Sequence, residues 1–429
     1  MQVNPVPNRR SEVLLLVFSI AGILGLLGRA VYLVVVGLDS FDPAQVDDLA
    51  ASMLDALSML FCAGLLFPML IYGLRRLKGG EIPAARIRPA ALWRLALLAG
   101  GWLLGIILFD LLSTKLSYGW IAAAPLFLLG VALPIAGLVW MAVGGQPAGS
   151  RRRLWAVFGL SMTGSTVLAL LAEYALVGLG VLLFGLAATG HPEWMSMAQQ
   201  VKDQVAGASD MQAMLTVLAP YLRNPLVLLA LLAFAAGIGP LIEEAAKPAA
   251  IWLLGKRLRS PAEGFALGAL CGAGFALLEG MMAASGAGSG AADGFGPSLG
   301  LGLVARAAGS LMHITASGLV GWGIASARLE RRPGRFAAAY LLAVTLHGLW
   351  NGSAILAVFG ALRFMVPAFP PDLVGGLAML AGLGMLVLLL VGMLVILPLI
   401  SARLRAQQPA LAMPPANDII APPISQNKE

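Results

Sequence analysis

The sequence predicts an all-α, polytopic transmembrane helix bundle of about ten spans, with both termini cytoplasmic. Three observations carry that expectation. Of the 429 residues, 59% are hydrophobic and only 11% charged, which excludes a soluble multidomain chain, a coiled coil and a disordered protein. Apolar runs recur at lengths that suit a bilayer core, which needs about 20 residues as helix. Lys and Arg gather in alternate loops, the pattern that orients membrane chains. Because the basic residues sit there, the net charge of +7 reports topology and not an affinity for nucleic acid. The two cysteines, Cys62 and Cys271, lie inside apolar runs and say nothing of redox compartment.

In chain order the runs are 13–37, 50–73, 91–112, 120–143, 154–186, 225–255, 262–284, 299–327, 336–359 and 373–401. The first is too long for a signal-peptide core and no small-residue cleavage pattern follows it, so it is expected to stay as an anchor. Strand-type alternation is absent, and helices are the other way to satisfy backbone groups in lipid. Arg9 and Arg10, the group Arg75, Arg76, Lys78, Arg86 and Arg88, Arg151 to Arg153, the group Lys256, Arg257 and Arg259, the group Arg328, Arg331, Arg332 and Arg335, and Arg403 with Arg405 all fall on one side of a ten-span arrangement. The other side holds Lys115, Lys202, Arg223 and Arg363. Basic loops are kept in the cytoplasm, which places both termini there.

The organisation expected is an N-terminal five-span region of unknown role (1–189), a connector (190–224), a four-span domain (225–359), a last span (360–405) and a tail (406–429). Trp194, Val201, Val205, Met211, Met214 and Leu215 among polar residues suit an extracytoplasmic amphipathic helix on the membrane surface; a plain linker is the alternative. Gly, Ser and Ala dominate 285–302, a linker or a lid. The tail, with Pro409, Pro414, Pro415, Pro422 and Pro423, is expected to be disordered.

Chemistry must come from ionisable residues inside lipid, where a mid-helix charge costs about 2.5–3.5 kcal/mol. The sixth run carries Glu243, Glu244 and Lys247 within five residues. Lys247 is four residues after one carboxylate and three after the other, so it reaches either on one helix face. A structural salt bridge would need one carboxylate, not two. Gly237, Gly239 and Pro240 precede the pair and Pro248 follows, which removes the helix bond to the Glu244 carbonyl. Broken helix at membrane depth is tolerated where it lines a cavity or is buried. The next three runs offer Glu279, then His313, then His347 with Asn351 one turn on. At a rise of about 1.5 Å per residue, Glu243, Glu279, His313 and His347 lie roughly 18, 25, 21 and 17 Å from the cytoplasmic end of their helices, in one slab.

In that order, Glu243-Glu244-x-x-Lys247, Phe275-x-x-x-Glu279, His313 and His347-x-x-x-Asn351 resemble the PrsW family of intramembrane proteases, relatives of the CAAX prenyl protease and bacteriocin-processing group. The resemblance runs over residues 225–359. Lys247 and Glu279 stand where the CAAX group typically has Arg and His, which favours PrsW. Gly280 and Ala283 stand where the family's second motif usually has Asn and Tyr, which bears on the substrate pocket more than on the chemistry.

The resemblance implies peptide-bond hydrolysis in or beside the bilayer, with a membrane protein such as an anti-sigma factor as substrate and a bacterial inner membrane as location. The residues agree with it. Glu243 or Glu244 is the general base for water, with Lys247 keeping the pair from being neutralised entirely. His347 and Asn351 are donors to the oxyanion. Glu279 and His313 orient the water or protonate the leaving amine. No cofactor is certain; zinc is one chemistry that Glu244, Glu279, His313 and His347 allow, although no HExxH helix is present. Neither a GxSG nor a GxGD motif occurs. A proton- or ion-coupled transporter is the alternative, since midplane carboxylates and histidines also build ion pathways, with Glu173 and Arg29 as further members. Against it, the polar residues cluster in four consecutive runs with no matching set in the first half. Gly264, Gly268 and Gly272 suit close helix packing. The substrate, cleavage site and oligomeric state have no signature in the sequence.

Overall fold

The computed structural model describes residues 9–39, 46–85, 87–115, 119–208, 211–254, 258–282, 299–365 and 373–407. Among them ten helical stretches are long and apolar enough to cross a membrane, one at each run read from the sequence. The first four are single helices, α1 (Arg9–Asp39), α2 (Val46–Leu77), α3 (Leu92–Lys115) and α4 (Gly119–Val143). The fifth joins α5 (Arg151–Leu160) to α6 (Thr166–Ala188) through a π-helical turn at Ser161–Ser165. Two shorter helices follow in the connector, α7 (Pro192–Ala206) and α8 (Met211–Leu222). The sixth span is built in pieces: α9 (Pro225–Leu232), a π-helical turn at Ala233–Ile238, α10 (Gly239–Ala246) and α11 (Ala249–Leu254). Four unbroken helices complete the bundle, α12 (Pro261–Met282), α13 (Leu299–Leu329), α14 (Pro333–Met365) and α15 (Leu373–Ala406). Among the described residues no strand forms; Ala84 and Ser150 make an isolated bridge between two loops. Most of the glycine-rich stretch 285–302 and the tail after residue 407 lie outside the described residues.

Helix starts follow their local chemistry. Asn224 accepts the Leu226 N–H at 2.9 Å with Pro225 at the first helical position, which satisfies a donor left free at the helix end. Ser260 does the same for Glu263 at 3.1 Å ahead of α12.

α12 lies at the centre of the bundle, buried at every residue from Ala262 to Leu278. Its glycine row lets α13 approach backbone to backbone. A Cβ at Gly264, Gly268 or Gly272 would stand 2.4, 2.2 or 2.3 Å from the carbonyl oxygens of Gly321, Ser317 and His313. No side chain fits there, so the row serves close packing as expected. On another face Gly274 meets the Phe158 carbonyl of α5, where a Cβ would come within 2.4 Å. Ion pairs tie the ends of α1, α5 and α12 together: Arg152 with Glu12, and Arg153 with Glu263, each at 2.5 Å. The end of α15 is fixed to the end of α4, with Gln146 Nε2 donating to the Ser401 carbonyl at 2.8 Å and Arg405 to the Gly144 carbonyl at 3.0 Å. Leucines and valines of α1, α3, α6 and α15 point outward. In a membrane span such a face meets lipid and needs no partner in the bundle.

Candidate active site

The sixth span owes its shape to other helices. Pro248 has no N–H, and the Ile251 N–H bonds the Pro248 carbonyl at 2.8 Å. The Lys247 carbonyl therefore loses its helical donor. Ser165 of the fifth span's π-helical turn donates to it at 3.2 Å. Ser161, from the same turn, lies 3.4 Å from that carbonyl and 2.7 Å from the Cys271 carbonyl. A hydroxyl has one proton, so Ser161 serves Cys271 and Ser165 serves Lys247. On the opposite side Asn351 Nδ2 donates to the Ala235 carbonyl at 2.9 Å. The Tyr340 hydroxyl donates to the Leu241 carbonyl at 2.8 Å. Gly348 completes that seam, because a Cβ there would come within 2.3 Å of the Ala236 carbonyl.

Six of the seven residues singled out in the sequence meet in one cluster. Lys247 is completely buried, its ammonium 2.6 Å from Glu244 Oε1, 3.0 Å from Glu243 Oε2 and 2.8 Å from His313 Nδ1. It also lies 4.4 Å from the centre of the Phe275 ring, a cation–π arrangement. Glu244 is completely buried as well: Oε1 receives Lys247 and His347 Nδ1, the latter at 3.0 Å, and Oε2 faces the Ser317 hydroxyl at 3.5 Å. Glu279 Oε2 lies 2.8 Å from His313 Nε2, and its other oxygen accepts from Arg306 at 3.2 Å. The seventh residue, Asn351, turns to Ala235 and so holds the π-helical turn instead of joining the cluster.

Those contacts fix the tautomers. An ammonium only donates, so His313 Nδ1 accepts from Lys247 and its Nε2–H donates to Glu279. A carboxylate only accepts, so His347 donates through Nδ1 to Glu244 and presents Nε2 toward Glu243 Oε2, 3.9 Å away. Glu243 differs from its neighbour in two respects. Its side chain keeps 17% exposure, and Oε2 has Lys247 as an ion-pair partner without an aligned hydrogen bond.

Donor atoms of Glu243, His313 and His347 lie within 4.8 Å of one another. Two histidines and a carboxylate are the donor set of a catalytic zinc site with an open position. His347, orientated by Glu244 through its other nitrogen, has the arrangement usual for a metal-bound histidine. His313 joins the set only by releasing Lys247 or Glu279. Of the residues read from sequence for a metal, Glu244 and Glu279 stand outside this group; their oxygens serve Lys247, His347, His313 and Arg306.

Ser161, Ser165, Ser317, Tyr340 and Arg306 belong to the site and carry no motif. A signal did exist for two kinds. Ser161 and Ser165 are one helical turn apart in an apolar run, and Arg306 is a charge inside the eighth.

A family model described as PrsW family intramembrane metalloprotease matches residues 149–375. No curated protein and no solved structure matches the chain. The match starts upstream of residue 225, and so takes in the fifth span with Ser161 and Ser165 as well as every residue of the cluster. With more than half of its length inside that match and an ion-paired glutamate–lysine–histidine centre inside its membrane helices, the chain belongs to the PrsW family of intramembrane proteases.

Proposed function

We propose that the protein hydrolyses a peptide bond of a membrane-spanning substrate, with Glu243 as the base that activates water. One observation carries the choice of residue: Glu243 Oε2, itself buried, and His347 Nε2 face each other across 3.9 Å, and Glu243 is the carboxylate of the pair whose side chain keeps some exposure, 17%. A water between them can donate one proton to each, leaving its lone pair for the scissile carbonyl. Glu244 has no such freedom. It holds Lys247 and His347 in place, and Lys247 supplies a fixed positive charge beside the carbonyl oxygen as it becomes an oxyanion. His347 Nε2 accepts the water's other hydrogen and so fixes its orientation while Glu243 takes the proton. The Glu279–His313 pair adjoins both Lys247 and His347, with the two histidine rings 5.0 Å apart, and is suited to carry a proton to the leaving amine.

Zinc bound by Glu243, His313 and His347 would supply a Lewis acid and a readily ionised water. Glu244 keeps its work in that case, orientating His347, as does Ser165, which holds the Lys247 carbonyl at the break of the sixth span. The resemblance extends to a bacterial inner membrane and an anti-sigma-factor-like substrate. Loop charges place both termini and the loop 328–335 in the cytoplasm and α7 outside. An impermeant thiol reagent acting on a cysteine introduced at exposed Ser196 checks this, because Cys62 and Cys271 are buried.

The decisive measurement compares Glu243→Gln with Glu244→Gln in membranes, following cleaved single-span proteins by their new N-termini. Glu243→Gln is expected to lower cleavage by about 10²–10⁴-fold at unchanged thermal stability. Glu244→Gln is expected to lose stability together with activity. Undiminished cleavage by Glu243→Gln removes that residue from the chemistry. Elemental analysis of the purified protein, beside cleavage after chelation, decides the metal: stoichiometric zinc with full inhibition assigns the three donors to it.

A further inference from the structure

A cavity of about 370 Å³ opens between α1, α2, α6 and α12, and part of its wall comes from helices that the family match does not reach. Gly25, Leu26 and Arg29 line it from α1, Asp55 and Met59 from α2. Two of its walls belong to helices that also reach the site. On α12, Leu278 and Met282 line the cavity, and Glu279 stands between them in sequence. On α6, Thr166 and Leu170 line it; one turn beyond Leu170 lies Glu173, whose Oε1 would be 3.8 Å from a Cβ at Gly239, one turn before Glu243. Resting on the protease reading, we propose that this cavity is the substrate subsite, which takes an unwound, apolar stretch of a membrane-spanning substrate next to the bond that is cut.

The chemistry of the walls supports that occupant. A peptide bond inside a helix is shielded by its own turns, so a cut requires local unwinding, which frees backbone N–H and C=O groups. In lipid each free group costs several kcal/mol unless a polar partner is near. Half of the lining residues are leucine, valine and methionine, suited to apolar side chains, while Arg29 brings donors and Asp55, Thr163 and Thr166 bring acceptors to the same space, the two threonine hydroxyls donating to the Gly159 and Ser161 carbonyls. A phospholipid chain would use the apolar lining and none of the polar groups that Asp55, Arg29, Thr163 and Thr166 place in the wall. The volume lies within the range of small-ligand pockets, and holds a few side chains of an extended segment. The proposal gives α1 and α2 a purpose: they form the outer wall of the subsite, which the family region completes with α6 and α12.

The test uses the full chain in membranes and reads new N-termini by mass spectrometry for wild type, Glu243→Gln, Gly25→Leu and Gly28→Leu. Both glycines have open space around an added Cβ, but only Gly25 lines the cavity. Cuts present in wild type and lost in Glu243→Gln define the products. For those products Gly25→Leu is expected to lower the yield at least tenfold and to shift the residues flanking the cut toward smaller side chains, because a few methylenes in an apolar pocket discriminate by about 10–200-fold. Gly28→Leu is expected to match wild type in yield and preference. Unchanged yield and preference in Gly25→Leu overturn the subsite while leaving the protease reading intact, as does an equal loss in Gly28→Leu. Release of a co-purified lipid by Gly25→Leu with cleavage unaltered assigns the cavity to lipid instead. If no cut depends on Glu243, the reading of the site itself fails, and the subsite with it.

Discussion

The sixth and seventh spans lie side by side in one bundle and keep their shapes by opposite means. α12 is an unbroken helix whose glycines let α13 lie directly on its backbone, so its position is set by packing along Gly264, Gly268 and Gly272, with Glu279 bonded to His313 and Arg306 further along the same contact. The sixth span is two π-helical and proline interruptions in succession, each with a carbonyl bonded by a side chain from elsewhere: Ala235 by Asn351, Lys247 by Ser165. The difference separates two tasks. A close-packed floor is stiff because its atoms have nowhere to go, and it fixes His313 through Gly272. A tethered, interrupted span can carry buried charge and present one carboxylate to an edge, since its freed backbone groups have been given partners.

The comparison breaks most visibly at the charge. Lys247→Ala leaves Glu244 buried with no cation, and breaking a buried pair costs roughly 3–5 kcal/mol. Thermal unfolding in detergent is expected to show that loss together with inactivity. A Lys247→Ala protein as stable as wild type means the ammonium does not hold the cluster.

On the floor, Gly272→Ala is the next largest change. The added methyl meets the His313 carbonyl at 2.3 Å, backbone that cannot swing aside. Overpacking of this kind costs about 1–3 kcal/mol, and the shift of α13 carries His313 away from Lys247. Lower melting temperature and lower activity should appear together; activity lost at full stability would mean that α13 rotates rather than separates.

The smallest effects belong to the tethers. Ser165→Ala and Asn351→Ala each remove a hydrogen bond worth about 0.5–1.5 kcal/mol. Both are expected to lower stability by that modest amount, with activity falling further because α10 carries Glu243. Asn351→Ala also sharpens its own assignment. A roughly 10²–10³-fold loss of rate at unchanged stability would return the residue to oxyanion stabilisation.

Much of this was legible in the sequence because lipid makes errors costly. Runs of apolar residues, loop arginines and the row Gly264, Gly268, Gly272 each have a single economical reading in a membrane, and the structure has a span at every run and a backbone contact at every one of those glycines. The charges inside lipid pointed in the same way to Glu243, Glu244, Lys247, Glu279, His313 and His347. The direction of Asn351 was not legible. Helical spacing from His347 puts it on the same face, but a turn along the helix is also far enough to reach a different neighbour, and the π-helical turn at Ala233–Ile238 supplied one.

By itself the sequence determined which residues must find partners, since an uncompensated charge or an interrupted helix is intolerable in hydrocarbon wherever it folds. Which partner each one found was decided only by tertiary structure. Glu243 and Glu244 are chemically identical neighbours about 100° apart around a helix. Packing turned one toward His347 and Ser317 as well as Lys247 with no exposure, and left the other paired with Lys247 while keeping 17% of its side chain exposed. The Lys247 carbonyl, left without its helical donor by Pro248, took Ser165 from a span more than eighty residues away, a choice made by the proximity of two helices and not by any local propensity.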